Sequence, residues 1–340
     1  MPDAPFWQKC NSHCVMCTNS DAYIEEPDEK YSLEKHRAKI AELKAAPGDR
    51  TVYYRNGEHQ DYFLFTGGEP TLHPEFFKLL GEYRKNFPAL PFTLLTNGRT
   101  FCVESFAKST LAIGGRPFDV AVPVHGPDAT THDSVTRAPG SFEETILGLR
   151  HLLRHMREGQ RLEIRVILHK HPTRWLPRTL DFLLREFPDT RAYRLNLVYF
   201  EVEGQAQKNF KSIGVRLSDC ARRVDGCFET LRRFDEARLY HFPLCALTRR
   251  LWPYAWRTLP RYEIKHVDAC RACPVNDVCN GPHDWYAQAY GAAEFVAPAA
   301  RPPLLLSGDF FHPILSVEGG SPAAAPAPVV DELKDPRARW

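Results

Sequence analysis

The chain has 340 residues, 43% of them hydrophobic, which is enough to bury a sizeable core in one large domain with an accessory region. Its net charge of +2 gives no reason to expect a nucleic-acid partner. The N-terminal run MPDAPFWQKC has no signal-peptide character, and no stretch reaches the ~18 apolar residues of a membrane span. We therefore expect no membrane partner and a cytoplasmic location, where ten cysteines indicate metal binding rather than disulfides.

Short apolar runs alternate with amphipathic stretches along the chain. Strands are predicted at residues 5–8, 61–65, 91–95, 118–124, 162–168 and 193–198. Helices are predicted at residues 33–45, 75–86, 103–112, 142–157 and 177–187. This alternation predicts about six βα units around a parallel sheet, which is an α/β fold.

The first chemical motif is CNSHCVMC, in which Cys10, Cys14 and Cys17 have C-x3-C-x2-C spacing. Three thiolates can hold one iron-sulfur cluster and leave an iron without a protein ligand. A zinc site would normally need a fourth Cys or His at a matching spacing, and His13 is poorly placed to complete a tetrahedron. An iron-sulfur cluster is the favoured interpretation, with zinc as the alternative.

The second motif is YFLFTGGEP, residues 62–70, in which an apolar strand runs into Gly67 and Gly68. Two glycines permit a sharp turn with backbone close to a ligand, although an ordinary βα turn has the same pattern. A further loop, LLTNGR at residues 94–99, follows the next predicted strand. Its Asn97 is a candidate for a cofactor or substrate contact, or for a simple Asn-Gly turn.

With both motifs present, the chain resembles the radical S-adenosylmethionine (SAM) superfamily. The resemblance implies a partial (β/α)6 TIM-type barrel with its chemistry at the carboxyl ends of the strands. It also implies that Cys10, Cys14 and Cys17 hold a 4Fe-4S cluster whose open iron chelates SAM. Reductive cleavage of SAM to a 5′-deoxyadenosyl radical, which abstracts a substrate hydrogen, is the implied reaction. An electron donor such as flavodoxin or ferredoxin is the implied partner.

The resemblance suggests cofactor contacts but assigns no general acid or base. The candidate cofactor-binding residues are Met16, Thr66, Gly67, Gly68, Glu69, Pro70, Asn97 and Arg137. Met16 stands where many relatives carry an aromatic residue, and it can pack against adenine or beneath the loop. Pro123 stands where many relatives carry a serine that touches SAM.

A second cysteine group lies nearer the C-terminus. Cys270, Cys273 and Cys279 have C-x2-C-x5-C spacing, and Cys245 lies upstream. Four thiolates can hold a second 4Fe-4S cluster or a zinc ion, and spacing does not separate the two. The resemblance favours an auxiliary cluster, because many peptide-modifying relatives append one; structural cysteines without a metal are the remaining alternative.

Four segments together are most like the His-Xaa-Ser system radical SAM peptide maturases: CNSHCVMC, LTNGR, HDSVTRAPGSF and LWPYAW. This likeness predicts modification of a small ribosomally synthesised peptide. Action on a small molecule or an amino acid is one alternative. A zinc-stabilised binding protein with a degenerate radical site is an alternative of another class.

We predict four regions: a barrel at 1–200, a bridging helical segment at 201–240, a cysteine-rich domain at 241–296 and an Ala/Pro-rich tail at 297–340. The tail is expected to be flexible after about residue 317. Because the first cysteine is residue 10, we expect no peptide-binding domain before the barrel. Cys102 is predicted to be a buried small residue. Cys220 and Cys227 are predicted to lie on the core-facing side of a helix, with a substrate-trapping or cluster-ligating thiol as the alternative.

Overall fold

The structure is a computed structural model that describes residues 3–45, 51–53 and 59–317. The predicted flexible tail after residue 317 lies outside the described residues. The strands are β1 (Asp3–Trp7), β2 (Thr51–Tyr53), β3 (His59–Asp61), β4 (Phe63–Gly67), β5 (Phe92–Leu95), β6 (Phe118–Pro123), β7 (Gln160–Leu168), β8 (Tyr193–Tyr199), β9 (Ala237–Tyr240), β10 (Leu304–Leu306) and β11 (Ile314–Val317).

Seven of these strands form one parallel sheet in the order β1-β4-β5-β6-β7-β8-β9. Each strand therefore neighbours the next one in chain order, apart from the β2–β3 hairpin that lies outside the sheet. Such an order, with helices in the connections, gives a sheet wound in one direction. The predicted partial TIM-type barrel is confirmed.

The helices are α1 (Asp21–Ile24), α2 (Leu33–Ala45), α3 (Phe76–Asn86), α4 (Glu104–Gly114), α5 (Ala129–Thr136), α6 (Ser141–His155), α7 (Lys170–Glu186), α8 (Gly204–Lys208), α9 (Phe210–Ile213), α10 (Leu217–Asp225), α11 (Phe228–Leu231), α12 (Asp268–Arg271) and α13 (Asp284–Tyr290). The five predicted helices correspond to α2, α3, α4, α6 and α7. The start of α7 was predicted too late, because Pro177 resembles a first-turn proline but lies inside the helix.

The two faces of the sheet carry different residues. On β7, every second side chain (Leu162, Ile164 and Val166) points towards the helices and is fully buried in the core. The opposite face, which lines the barrel interior, carries Arg194 on β8 and Arg238 on β9, both fully buried. The interior is therefore filled partly by an ionic network rather than by apolar side chains alone.

The last strand of the sheet, β9, lies in the segment at 201–240 that was predicted as a helical bridge. It has only four residues, so its pattern is too short to stand out from the surrounding helices. Beside it, Leu239 forms a parallel bridge with Ala255. None of the helices in the described part of the chain has the length and apolar character needed to cross a membrane.

Candidate active site

The three N-terminal cysteines lie in the loop that leaves the carboxyl end of β1, here called the cysteine loop (residues 10–17). The loop has almost no regular structure of its own, and the rest of the barrel holds it in place. Its backbone donates hydrogen bonds to the end of α5, from His13 N to Thr136 O at 2.8 Å and from Val15 N to Val135 O at 2.9 Å. The loop is therefore fixed across the carboxyl edge of the sheet.

The GGEP loop after β4 lies directly against the start of the cysteine loop. Gly68 N donates to Trp7 O at 2.6 Å, and Glu69 N donates to Lys9 O at 2.8 Å. A Cβ at position 68 would lie 2.4 Å from the carbonyl oxygens of Gln8 and Lys9, so only glycine fits there. The two glycines predicted that the backbone of this motif comes close to a ligand. In the structure, the backbone of this motif lies close to the end of β1.

The carboxylate of Glu69 is fully buried and ties the GGEP loop to the TNGR loop after β5. Its Oε1 accepts hydrogen bonds from Thr71 N, from Thr71 Oγ1 and from Thr96 Oγ1 at 2.7 Å, while its Oε2 accepts from Asn97 N at 2.6 Å. Burial raises the pKa of Glu69, and these hydrogen bonds oppose the rise. All four donors come from the protein, so the side chain positions neighbouring loops.

Two side chains of the TNGR loop reach back to the cysteine loop. Asn97 Nδ2 donates to Asn11 Oδ1 at 2.7 Å and lies 3.8 Å from Cys10 Sγ. Arg99 donates to Asn11 O and, at 3.3 Å, to Ser12 Oγ. In the sequence, Arg99 is only the last residue of the TNGR motif, because its role depends on a contact with a residue 88 positions away in the chain.

The three thiols lie in a site that disfavours their ionisation as long as no metal is bound. Burial raises the pKa of Cys10 to about 11, with the charge of Glu69 adding to the rise. Burial also raises the pKa of Cys14, as do the neighbouring charges of Cys17 and Cys10. A bound cation reverses this preference, because metal-coordinated thiols are deprotonated. The donor set therefore fits a metal centre better than a set of free thiolates.

The stretch HDSVTRAPGSF (residues 132–142) lies against the cysteine loop, which binds the backbone oxygens of Val135 and Thr136. Asp133 accepts hydrogen bonds from the backbone of Gly140 at 2.7 Å and Phe142 at 2.9 Å, which caps the start of α6. Arg137, a predicted cofactor contact, is exposed and donates to Asn209 Oδ1 at 3.4 Å. Asn209 in turn donates to Val15 O at 2.9 Å. Arg137 is therefore linked to the cysteine loop through Asn209.

The remaining predicted cofactor contacts surround the same edge. Met16 is half-buried and packs against the hydrophobic core, which agrees with the second of its two interpretations. Thr66 is half-buried on β4. Pro70 is buried and begins a 3₁₀ turn, Pro70–Leu72. The structure therefore brings the predicted residues from β1, β4 and β5 together, while Arg137 lies outside this group.

The structure also brings the four C-terminal cysteines near one another. Burial raises the pKa of the Cys245 thiol to about 12, and the charges of Cys279, Cys270 and Cys273 add to the rise. The Sγ atom of Cys279 accepts hydrogen bonds from Leu244 N and Gly281 N, both at 3.3 Å. Such backbone donors are typical of sulfurs held in a metal centre.

Sequence analysis missed a polar cluster at the carboxyl ends of the last strands. One possible metal-ligating atom from each of three residues, Glu201, Glu263 and His283, lies within 4.8 Å of the other two. The Nε2 atom of His283 accepts a hydrogen bond from Trp285 Nε1 at 2.8 Å, while its buried Nδ1 has no hydrogen-bond partner among the described residues. The three residues come from distant segments, so no local motif indicates them.

Comparison with known proteins agrees with this arrangement. A family model described as the radical SAM superfamily matches residues 5–183, more than half of the chain. An AdoMet-dependent heme synthase of Nitratidesulfovibrio vulgaris is 24% identical over 145 residues, which are 43% of this chain and 35% of that protein.

Solved structures of similar fold include Streptococcus suis SuiB bound to precursor peptide SuiA, with a TM-score of 0.50 and 15% identity over 69% of this chain and 48% of SuiB. Native anSMEcpe with bound AdoMet and Cp18Cys peptide has a TM-score of 0.49 and 17% identity over 70% of this chain and 64% of that one. The chain thus spans about a third of the curated relative and about half of SuiB.

Proposed function

The chain belongs to the radical SAM superfamily, and from this membership we propose that it is an enzyme that reductively cleaves SAM and abstracts hydrogen from a ribosomally synthesised peptide. Cys10, Cys14 and Cys17 would hold the SAM-binding 4Fe-4S cluster. When bound, the cluster and SAM supply the 5′-deoxyadenosyl radical. The protein's own task is to hold the reactants in position and exclude water.

One observation carries the proposal: three half-buried cysteines lie in one loop at the carboxyl edge of the sheet, beside the GGEP and TNGR loops. This edge is where parallel barrels assemble their active sites. Asn97 connects the loops, since its backbone N–H binds Glu69 and its side chain binds Asn11. A binding protein stabilised by zinc would not need this constellation.

We further propose a second 4Fe-4S cluster at Cys245, Cys270, Cys273 and Cys279. The assignment is supported by the proximity of the four thiols, since the charges of Cys279, Cys270 and Cys273 add to the raised pKa of Cys245, and by the auxiliary clusters that many peptide-modifying relatives append. A four-cysteine set leaves no iron open, so the second cluster would transfer electrons or stabilise the region rather than bind SAM. The predicted regions, with a barrel at 1–200 and a cysteine-rich domain at 241–296, are part of the same proposal.

A peptide substrate is supported by the added cysteine region and by the similarity of fold to SuiB, whose structure contains a precursor peptide. A small-molecule substrate is the second candidate, because the curated relative is a heme synthase. The two are distinguished by whether substrate turnover requires a peptide. An external electron donor such as flavodoxin or ferredoxin is part of either proposal.

The proposed reaction is tested by measuring 5′-deoxyadenosine formed from SAM and dithionite under anaerobic conditions. We expect product from the wild type and at least a hundredfold less from the Cys10→Ala/Cys14→Ala/Cys17→Ala variant. Cys102→Ala is the matched control, because this half-buried cysteine lies outside both groups; it should retain full activity. Equal activity in the triple variant would refute the proposal.

The substrate is tested by co-expression with each short open reading frame adjacent to the gene, followed by mass spectrometry of the peptide. We expect a mass change that disappears in the Cys10→Ala/Cys14→Ala/Cys17→Ala variant. Peptides that keep their mass while SAM is cleaved would contradict the peptide substrate and favour the small-molecule candidate.

A further inference from the structure

We propose that Arg99 raises the reduction potential of the cluster at the cysteine loop, by holding a largely buried positive charge against that loop. The inference rests on the proposed function, since it concerns the same cluster. It goes further by assigning a positioning and electrostatic role to a residue that no motif identifies as a metal ligand.

The contacts place the guanidinium group of Arg99 at the loop. Its Nη1 donates to the backbone oxygen of Asn11 and, at 3.3 Å, to Ser12 Oγ. Both acceptors lie between Cys10 and Cys14 in the chain. Only 13% of the Arg99 side chain is exposed, so solvent screens its charge weakly.

The charge acts on the cysteine sulfurs. Its guanidinium group binds the backbone and a side chain between Cys10 and Cys14, so its field favours negative charge on the sulfurs of this loop. One-electron reduction adds a negative charge to a cluster bound through the same sulfurs. A positive charge nearby therefore favours the reduced form, and charge and hydrogen bonding around the sulfurs are established determinants of cluster potentials.

Acidic groups near the loop act in the opposite direction. Arg99 Nε donates to Glu144 Oε2 at 2.6 Å, but 43% of the Glu144 side chain is exposed, so water screens this carboxylate more than it screens Arg99. The buried Glu69 is a second carboxylate near the loop, because its Oε2 accepts from the backbone N–H of Asn97, whose side chain binds Asn11. The positive charge of Arg99 thus partly cancels the negative charge of Glu69 at the cysteine loop. The carboxylate of Glu144 in turn weakens the field of Arg99.

The experiment is a redox titration of the anaerobically reconstituted enzyme, monitored by electron paramagnetic resonance, after iron and sulfide have been measured. The C-terminal cysteines are left intact, and Cys10→Ala/Cys14→Ala/Cys17→Ala identifies the signal that belongs to the cysteine loop. The variants are Arg99→Gln, which removes the charge but keeps a donor, Arg99→Lys, which keeps the charge, and Glu144→Gln.

We expect Arg99→Gln to disfavour reduction by about tenfold, a downward shift of about 59 mV for one electron. Arg99→Lys should stay close to the wild type. Glu144→Gln should shift the potential upward, because it removes the opposing charge.

Two results would overturn the inference: an unchanged potential in Arg99→Gln, or equal downward shifts in Arg99→Gln and Arg99→Lys, which would indicate lost geometry rather than lost charge. If Arg99→Gln does not retain the cluster, Glu144→Gln decides, and a potential that does not rise contradicts the inference. A wild type without any cluster at the cysteine loop refutes the proposed function instead.

Discussion

At the scale of single residues, the cysteine loop depends on backbone contacts that tolerate no side chain. Gly68 is the clearest case, because its N–H binds Trp7 O and its Cα faces two carbonyl oxygens of the chain leading into the loop. The motif was recognisable in the sequence, but the partner of the close approach was not. The pair of glycines indicates that another group lies close to the backbone. Which group this is depends on how the strands pair.

Gly68→Ala tests this contact. A Cβ at 2.4 Å from backbone oxygens forces the GGEP loop away from β1, and we expect destabilisation by about 1–3 kcal/mol together with reduced iron incorporation. Chemical denaturation and iron analysis measure the two effects. Gly226→Ala is the control, because a Cβ there meets no atom nearer than 3.5 Å, and it should lose neither stability nor iron. Wild-type iron content and stability in Gly68→Ala would show that the contact is dispensable.

At the scale of secondary-structure elements, the β10–β11 hairpin fills the barrel interior from one side. Phe310 and Phe311, in the turn between its strands, pack with Val198 and Tyr240 from the inward face of the sheet. The arginine of the neighbouring segment, Arg257, lies over the ring of Phe310 at 3.7 Å. The sequence assigned this hairpin to the Ala/Pro-rich tail at 297–340 and did not indicate its packing, because the residues it covers lie in strands far away in the chain.

Phe311→Ala tests the packing of this hairpin. We expect a loss of about 3–5 kcal/mol in the free energy of unfolding, because the ring is 4% exposed and its removal leaves a cavity. Denaturant-induced unfolding followed by tryptophan fluorescence measures the loss. Leu305→Ala, at a residue that is 58% exposed on β10, is the matched control and should change stability by less than about 0.5 kcal/mol. Similar losses in both variants would contradict the described packing.

At the scale of the whole molecule, an ionic network joins the interior of the barrel across three strands. Arg194 on β8 binds Glu163 on β7 at 3.1 Å and Glu236, just before β9, at 2.9 Å. Burial alone would raise the pKa of Glu236, but the guanidinium groups of Arg238, Arg194 and Arg161 outweigh it and hold the pKa at about 2. The ionised carboxylate is therefore part of the folded state at neutral pH.

This network predicts a specific dependence of stability on pH. A carboxyl group whose pKa is lowered on folding stabilises the protein above its unfolded pKa of about 4.3, and the contribution is lost as the pH falls through about 2. Glu236→Gln should cost about 3–5 kcal/mol at neutral pH, since it removes a carboxylate that the buried Arg194 and Arg238 both bind, and should flatten this acid-dependent decline.

Unfolding curves between pH 2 and pH 7 measure the pH dependence of both proteins. Glu229→Gln is the control, because this carboxylate is 78% exposed and pairs with Arg232 one helical turn away. A wild-type acid profile in Glu236→Gln would contradict the assigned role of the network.

The sequence was sufficient to predict the parallel sheet, because short strands rich in Leu, Ile or Val, such as β7 and β8, alternate along the chain with amphipathic helices. It also indicated the cysteine loop, since ligands close in the chain keep a fixed spacing. It did not indicate Arg99 or Glu201, whose neighbours depend on which loops meet at the carboxyl edge. Short motifs report local chemistry, whereas contacts between loops require the completed sheet.

The central claim is tested most directly by the iron, sulfide and zinc content of the anaerobically reconstituted protein, compared with that of the Cys10→Ala/Cys14→Ala/Cys17→Ala variant. We predict about eight irons per chain in the wild type and about four in the variant, with matching sulfide and no zinc. Equal iron in the two proteins, or zinc in place of iron at the cysteine loop, would contradict the assignment of a radical SAM active site to this loop.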